Sequence, residues 1–295
     1  MKDILLKMRE IARDLLSKKE VNLVLGWEKG SHWYKSPPLF ISKAEDADRL
    51  VFDEFCHNNL SKYFLDLAHH EGKVAIFVKG CDSRGINRLI QDNAIQREQV
   101  YVIGIPCPGL KDPDDAMGKK EGEAVREAVK CQDCRHPNPV IYDILLGEKV
   151  DAAARGRETA VLVEKLEKMT PDERYRFWSR QFERCIRCYA CRNVCPACNC
   201  RECIFDRAVP DWLGKANNLA ENQFMQLTRA MHVAGRCIEC GECERACPMN
   251  IPLMALNKKI IKDIEELFGE GDAGVDPGKK PPLGHFELND PEKFM

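Results

Sequence analysis

Two cysteine-rich runs in the carboxyl-terminal half constrain the fold of this chain more than any other feature. The runs, CIRCYACRNVCP and CIECGECERACP, begin at Cys185 and Cys237, and both read C-x2-C-x2-C-x3-C-P. A tight loop with a thiolate at every third residue can wrap three corners of an iron–sulfur cubane, while the fourth cysteine opens a helix and points away. Two such runs within about sixty residues are no coincidence. They predict two [4Fe–4S] clusters and a module that moves single electrons.

This spacing is the bacterial ferredoxin pattern, in which the fourth cysteine of each run ligates the other cluster. The sequence therefore predicts a crossed assignment of eight thiolates. One cluster is expected on Cys185, Cys188, Cys191 and Cys247, and the other on Cys237, Cys240, Cys243 and Cys195. About forty residues separate the two runs, which is more than in a simple ferredoxin. We therefore expect an expanded, helical version of that module.

Composition excludes several partners and settings for the chain. A formal net charge of −2 over 295 residues gives no basic excess, so nucleic acid is not an expected partner. There is no run of about 18 apolar residues, so no membrane span is expected. The charged amino terminus lacks the apolar stretch of a secretory signal. Sixteen cysteines without an export signal indicate metal ligation rather than disulfides, and predict a reducing cytoplasmic setting in an anaerobe.

The amino-terminal half contains the pattern of an α/β domain. Apolar residues at helical period predict a helix over 2–18, and a short strand is expected at 22–25, followed by a loop over 26–38. One or two helices are expected over 46–67. The segments 73–79 and 99–105 are predicted to be strands, joined by a tight loop at 80–85 and a helix at 86–93. Strand, helix and strand at this length form a right-handed crossover between parallel strands.

These patterns predict two domains and a tail. Residues 1–165 are expected to form an α/β domain on a mostly parallel sheet. Residues 166–268 are expected to form the helical two-cluster ferredoxin domain, and 269–295 an extended tail rich in Gly, Pro and charge. Thr170, Pro171 and Glu173 predict the start of the helix that leads into the first cysteine run.

Four further cysteines are candidates for a third cluster. Cys81 and Cys107 each follow a predicted strand, at the sheet edge where α/β proteins place ligands, and the pair Cys131 and Cys134 follows that edge. Four thiolates there would hold a third [4Fe–4S] cluster. A zinc site and simple burial of apolar thiols are the alternatives. Cys56 is expected to be a packing residue, or to replace one of these four.

Three cysteines follow the first run closely, and no ferredoxin rule assigns them. They are Cys198, Cys200 and Cys203. Donation to cluster sulfurs, ligation of an additional metal and packing all remain open for them.

A flavin is a further cofactor hypothesis for the first domain. The segment Gly80–Gly85, with Arg84 at a predicted helix start, would favour an anion such as a flavin phosphate. The loop with Trp27, Trp33 and Tyr34 would cover an isoalloxazine ring. The alternatives are that Asp82 or Ser83 only caps the helix and that the aromatic residues close a small core. Motifs of hydrolases, kinases and nicotinamide dehydrogenases are lacking.

Several stretches together resemble the beta subunits of formate dehydrogenases and of deazaflavin-coenzyme-reducing hydrogenases. In chain order they are LVLGWEKGSHWYKSPPLFI, EFCHNNLSKYFLDL, VAIFVKGCDSRGINRLIQDN, VYVIGIPCPG, CQDCRHPNPVIYDILLGE, CIRCYACRNVCPACNCRECIFD and AMHVAGRCIECGECERACP. They cover most of residues 22–252. The resemblance implies several [4Fe–4S] clusters, with Cys81, Cys107, Cys131 and Cys134 matching family cysteines near the sheet, and FAD in some members. It also implies partners: formate dehydrogenase or hydrogenase subunits, or a heterodisulfide-reductase-like flavoprotein.

The combined expectation is an iron–sulfur electron-transfer subunit of a multi-subunit anaerobic oxidoreductase. It would relay electrons between a catalytic subunit and a flavoprotein of the heterodisulfide-reductase type. One alternative is a flavin-bearing catalytic beta subunit that reduces a deazaflavin or nicotinamide carrier. The other is a zinc-stabilised scaffold subunit that carries no electrons.

Overall fold

A computed structural model describes residues 2–67, 70–151, 158–269, 271–279, 282–284 and 288 of the chain. The chain divides into two compact units. The first comprises Met1–Gly156 with Gly274–Pro277, and the second comprises Arg157–Ala273 with Gly278–Met295. The carboxyl-terminal segment predicted as a tail is thus divided between the units. The rest of that predicted tail, at 270, 280–281, 285–287 and 289–295, lies outside the described residues.

The first unit is an α/β unit built on one sheet. Its elements are α1 (Lys2–Ser17), β1 (Leu23–Glu28), β2 (Pro38–Ile41), β3 (Leu50–Val51), α2 (Leu60–Phe64), β4 (Val74–Val78), α3 (Gly80–Gln91), β5 (Val100–Gly104), α4 (Pro113–Ala116), α5 (Val129–Gln132) and β6 (Ile144–Leu145). Short 3₁₀ helices lie at Ala44–Arg49, Leu65–Leu67 and Arg97–Gln99.

The sheet is mixed, with mostly parallel pairing, as the sequence predicts. Its strand order is β2-β1-β4-β5-β6, and β3 also pairs with β1. The β1–β4, β4–β5 and β5–β6 pairs are parallel, and β2 and β3 run antiparallel to β1. All five residues of β4 are buried, because a central strand of such a sheet is covered on both faces. The carboxyl ends of β4 and β5 therefore meet at one edge.

Three local predictions for this unit are wrong. The predicted loop at 80–85 is the first part of α3, because the carboxylate of Asp82 accepts the backbone N–H of Lys79 and caps the helix at Gly80. Strand β1 runs on to Glu28, into the loop predicted at 26–38, and an edge strand for which no prediction was made, β2, begins at Pro38, which is tolerated as a first residue. Residues 46–67 contain only short helical pieces, and α2 begins late, where Asn59 caps it.

A segment from the carboxyl-terminal part of the chain belongs to the first unit. Asn87 Nδ2 donates to the carbonyl oxygen of Gly274 at 3.1 Å, and Gln91 Nε2 donates to that of Asp276 at 2.8 Å. Gly274 has a φ of +75°, and a Cβ added there would lie 2.2 Å from the Arg84 carbonyl oxygen. Only glycine fits this close approach to α3.

The second unit is helical. Its elements are α6 (Glu158–Glu167), α7 (Pro171–Glu183), α8 (Ala190–Asn193), α9 (Leu219–His232), α10 (Glu242–Arg245) and α11 (Leu253–Phe268), with 3₁₀ turns at Ile204–Asp206 and Pro282–Gly284. The predicted capping box of α7 is present, with Thr170 and Glu173 bonded reciprocally. Helix α6 packs on α11 through Val163, Leu166 and Ala255. Across the described part of the chain, no helix is both long and apolar enough to cross a bilayer.

Candidate metal centres

The two cysteine runs of the second unit have the same backbone conformation. Arg187 and Tyr189 in the first loop have left-handed φ angles of 49° and 59°, and Glu239 and Gly241 at the same positions of the second loop have 57° and 68°. Each loop then enters a four-residue helix, α8 or α10, and these two helices pack together. The left-handed turns give the two loops the same curl around their first three cysteines.

Each run lies beside the last cysteine of the other run. Burial raises the pKa of the Cys191 thiol, Arg229 lowers it, and negative charge on Cys185, Cys247 and Cys188 raises it further. Cys247 of the second run therefore lies close to Cys191 of the first run. This is the grouping that the crossed assignment requires.

The second group mirrors the first. Burial raises the pKa of Cys237 to about 12, and it also raises the pKa values of Cys240 and Cys243. Negative charge on Cys195 adds to the rise at all three thiols, so this cysteine of the first run lies among them. A hydrogen bond from Cys198 lowers the pKa of Cys195 itself to about 6.

The sulfur atoms of both groups accept hydrogen bonds. Gln226 Nε2 donates to Cys185 Sγ at 3.4 Å, and Asn257 Nδ2 approaches Cys243 Sγ at 3.8 Å. Backbone N–H groups of Glu239 and Glu242 donate to the Cys237 and Cys240 sulfurs. Such donors stabilise thiolate ligands and tune the metal that they hold. The donor chemistry of this pocket fits an anionic, sulfur-bound cofactor.

Four of the five cysteines of the first unit are brought together at the carboxyl edge of the sheet. Cys81 is the second residue of α3, Cys107 follows β5, and Cys131 lies on α5 with Cys134 just after it. Cys107 packs with Cys131, and negative charge on Cys134 raises the pKa values of the other three.

Chain segments at this edge are held in close contact. The backbone N–H of Cys107 donates to the Pro137 carbonyl oxygen at 2.9 Å. A Cβ at Gly80 would lie 1.9 Å from the His136 carbonyl oxygen, so the segment after Cys134 crosses directly over the start of α3. The sheet topology and this crossing, rather than a local motif, gather the four thiols.

Two lysines carry positive charge beside these thiols. Burial raises the pKa of Cys81 well above its usual range and that of Cys107 to about 11, while Lys79 opposes both shifts. Burial likewise raises the pKa of Cys131, with Lys130 opposing. Lys79 is fully buried, 2.8 Å from Asp82 Oδ2 and 4.0 Å from the ring centre of Trp27. Backbone N–H groups of Gly109 and Leu110 donate to the Cys107 and Cys131 sulfurs.

Known proteins match this architecture. A model of the 4Fe-4S dicluster domain matches residues 181–251. The beta subunit of the F420-dependent formate dehydrogenase of Methanocaldococcus jannaschii is 28% identical, over 92% of this chain and 92% of its own length. Subunit beta of F420-dependent formate dehydrogenase 1 of Methanococcus maripaludis is 27% identical, over 92% of this chain and 90% of its own.

The chain is similar to the iron–sulfur beta subunits of formate dehydrogenases over nearly its whole length. It is an iron–sulfur electron-transfer subunit with [4Fe–4S] clusters as cofactors, and its relatives are subunits of larger enzymes. The resemblance stated from the sequence is therefore confirmed. The alignment with the M. jannaschii protein is 361 positions long against 295 residues here, so that relative carries insertions totalling at least 66 positions.

The remaining cysteines of the chain lie apart from the two ferredoxin-type groups or at their margin. Cys56 is buried in the core of the sheet, where its sulfur accepts the Asp53 N–H at 3.3 Å. Cys198 contacts Cys195, Cys203 hydrogen-bonds Arg192, and Cys200 is exposed. Within the described residues, no three His, Cys, Asp or Glu side chains are grouped to hold a single metal ion.

The start of α3 does not offer the anion-binding site that the flavin hypothesis requires. The Asp82 carboxylate accepts the N–H groups of Lys79 and Leu60, so a negative charge of the protein already stands at the helix start. Trp27 is fully buried against Phe52, as in an ordinary core. The local geometry fits the alternatives of a capped helix and a packed aromatic residue.

The sequence patterns missed a buried polar stripe on α9. Asn222, Gln226 and Arg229 lie on one face of the helix and are 1–2% exposed. Asn222 Nδ2 donates to the carbonyl oxygens of Phe182 and Cys185 at 3.0 and 2.9 Å, which fixes the start of the first loop. The apolar residues that repeat along α9 instead face outward: Phe224, Leu227 and Met231 are 39%, 47% and 64% exposed. Polar residues at positions i, i+4 and i+7 of the predicted helix were the sequence signal that could have revealed this buried polar face.

Proposed function

We propose that this beta subunit holds three [4Fe–4S] clusters and relays single electrons within a cytoplasmic oxidoreductase complex. A formate dehydrogenase or hydrogenase subunit would stand on one side and a heterodisulfide-reductase-like flavoprotein on the other. When bound, each cluster would accept and release one electron. The protein supplies the thiolates, the hydrogen bonds to sulfur and the burial that set the reduction potential.

One observation carries this proposal for the second unit. Two loops of identical spacing and matching left-handed turns each contain three cysteines, and the negative charge of the other loop's last cysteine acts on cysteines of each set. In this assignment Cys185, Cys188, Cys191 and Cys247 bind one cluster, and Cys237, Cys240, Cys243 and Cys195 bind the other. Because each loop supplies one ligand to the other loop's cluster in this assignment, the two loops form one electron-transfer module.

The third cluster is assigned to Cys81, Cys107, Cys131 and Cys134. Four buried or half-buried thiols, two backbone N–H donors to sulfur and two adjacent lysines form a donor set suited to an anionic cluster. Four thiolates on one zinc ion stand within about 4 Å of each other, because a Zn–S bond is about 2.3 Å. Within the described residues, no three His, Cys, Asp or Glu side chains are grouped to hold a single metal ion, which favours a polynuclear centre for these four.

A second candidate function rests on the relatives, which are named as F420-dependent. In it, a flavin bound by the first unit lets this subunit reduce a soluble deazaflavin or nicotinamide carrier. The capped start of α3 and the buried Trp27 do not support it. Coulometric titration distinguishes this second candidate from the electron relay.

Coulometric titration of the anaerobically purified chain tests the proposal. About three electrons per chain are expected, one for each cluster. Cys188→Ala and Cys243→Ala should each take up fewer, whereas Cys200→Ala, which changes an exposed cysteine outside the three sets, should match the unsubstituted chain. Uptake of about two additional electrons with stoichiometric flavin would favour the second candidate. A folded chain with zinc and no electron uptake would contradict both and indicate a scaffold.

A further inference from the structure

A buried arginine of the second unit is electrostatically coupled to cysteines of both runs. Arg229, on α9, is 2% exposed, and its Nε, Nη1 and Nη2 atoms have no hydrogen-bond partner among the described residues. A guanidinium carries five N–H donors and stays protonated in proteins. All of its donors therefore point into the protein without an acceptor.

The charges that act on Arg229 are those of the cysteines of both runs. Burial lowers the pKa of Arg229, and negative charge on Cys243, Cys191, Cys195 and Cys198 outweighs burial and raises it. Reciprocally, Arg229 lowers the pKa values of Cys191, Cys195, Cys237 and Cys243. Cys191 belongs to one proposed ligand set, and Cys195, Cys237 and Cys243 belong to the other. The guanidinium is thus electrostatically coupled to both sets.

A buried, unpaired guanidinium destabilises a fold strongly unless an anion compensates it. No carboxylate or carbonyl oxygen hydrogen-bonds this one in the described part of the chain. Four thiolates give each bound cluster a net negative charge, and cluster sulfurs accept hydrogen bonds. Bound clusters would thus supply the negative charge and the hydrogen-bond acceptors that the Arg229 guanidinium lacks among the described residues.

We infer that Arg229 is a shared counter-charge of the two clusters in the second unit and raises the reduction potentials of both. This rests on the proposed function, because it presupposes the crossed ligand sets. A fixed positive charge stabilises the state with one more electron, so reduction becomes more favourable. Arg229 acts on the clusters as a positioning and tuning residue.

Gln226 provides the contrast within the same helix. Its amide donates to Cys185 Sγ, a ligand of one set only, and it carries no charge. A variant at this position should therefore alter one potential, whereas a variant at Arg229 should alter two.

Redox titration of the full, anaerobically purified chain, followed by electron paramagnetic resonance, tests the inference. In Arg229→Gln the ratio of reduced to oxidised cluster at a fixed potential should fall at least tenfold for both clusters of the second unit, which is a downward shift of about 59 mV for a one-electron couple. Arg229→Lys, which keeps the charge, should stay close to the unsubstituted chain. Lys262→Gln removes an exposed cation of the same unit and should shift neither potential.

Each outcome decides the inference. Intact clusters with unchanged potentials in Arg229→Gln would overturn it. If Arg229→Gln loses its clusters while Arg229→Lys keeps them, the charge is required and the inference stands. Loss in both variants would overturn it in favour of a purely steric role. Failure of the proposed function is distinguished by the unsubstituted chain, which would then lack the two ferredoxin-type clusters by iron and sulfide content.

Discussion

The two cysteine regions of this protein assemble their thiols in different ways. In the second unit, the thiols are brought together by local spacing. Each loop carries three cysteines within seven residues, and the two loops share left-handed turns at positions such as Tyr189 and Gly241. In the first unit, the four thiols come from separate segments after β4, after β5 and around α5. They meet because parallel strands end at the same sheet edge.

The regions also differ in how they compensate buried charge. Lys79 in the first unit is already paired with Asp82 at 2.8 Å. Arg229 in the second unit has no hydrogen-bond partner within the described residues. The buried cation of the second region therefore has no hydrogen-bond partner among the described residues, whereas the buried cation of the first region has a carboxylate partner. We expect the second unit to depend on its cofactors for stability more than the first does.

The largest expected effect tests the crossing in the second unit. Cys195→Ala should remove the cluster assigned to Cys237, Cys240 and Cys243, with a loss of about four irons per chain. The remaining spectrum should match that of Cys240→Ala and differ from that of Cys188→Ala. Mössbauer spectra of the three variants check this. A spectrum of Cys195→Ala that matches Cys188→Ala instead would show that each run binds its cluster alone.

A loss of similar iron content, confined to the first region, is expected from Cys107→Ala. About four irons should disappear while the two ferredoxin-type clusters keep their spectra, because the missing ligand belongs to the sheet-edge set. Cys56→Ala is the matched control, since Cys56 is equally buried but packs in the sheet core. If both variants retain full iron, the sheet-edge thiols are packing residues.

The charge pair of the first region should matter to stability. Asp82→Asn leaves Lys79 buried without its partner, and removal of one member of a buried pair costs about 3–5 kcal/mol. Urea unfolding followed by circular dichroism measures the change. Asp3→Asn, which breaks an exposed pair with Lys7, should change stability by less than about 1 kcal/mol. Equal effects of the two substitutions would contradict the buried role of Asp82.

The smallest effect is expected from Gln226→Leu. It removes one donor to Cys185 Sγ, and one hydrogen bond contributes about 1 kcal/mol to stability. In a redox titration, the reduction potential of the cluster assigned to Cys185 should fall, and the potential of the other ferredoxin-type cluster should not change. Asn257→Leu is its counterpart at Cys243 and should move the other potential. A shift of both potentials in either variant would argue against separate tuning.

The sequence predicts much of this molecule where the determinants are local. The cysteine loops, the capping box at Thr170 and the parallel strands β4 and β5 follow from spacing and pattern. Helix α3 was mispredicted at its start, because the cap comes from Asp82 within the helix itself. Strand β2 was missed, because pairing with β1 overrides the turn-like composition before it.

The buried face of α9 could not be read from hydrophobic periodicity. Phe224, Leu227 and Met231 follow a helical repeat, yet they face outward. Asn222, Gln226 and Arg229 are buried instead, because this face lies against the first cysteine loop, where Asn222 and Gln226 donate to Cys185. Polar residues at helical spacing next to a cluster motif are therefore a signal for such a face.

The central claim is that both regions hold [4Fe–4S] clusters, whatever route gathers their cysteines. Iron, acid-labile sulfide and zinc per chain, measured on the anaerobically purified protein, test it most directly. We predict about twelve irons and twelve sulfides per chain with no stoichiometric zinc, since three clusters of four irons are assigned. About eight irons, with or without one zinc, would contradict the claim for the sheet edge and leave the second unit as the sole carrier of electrons.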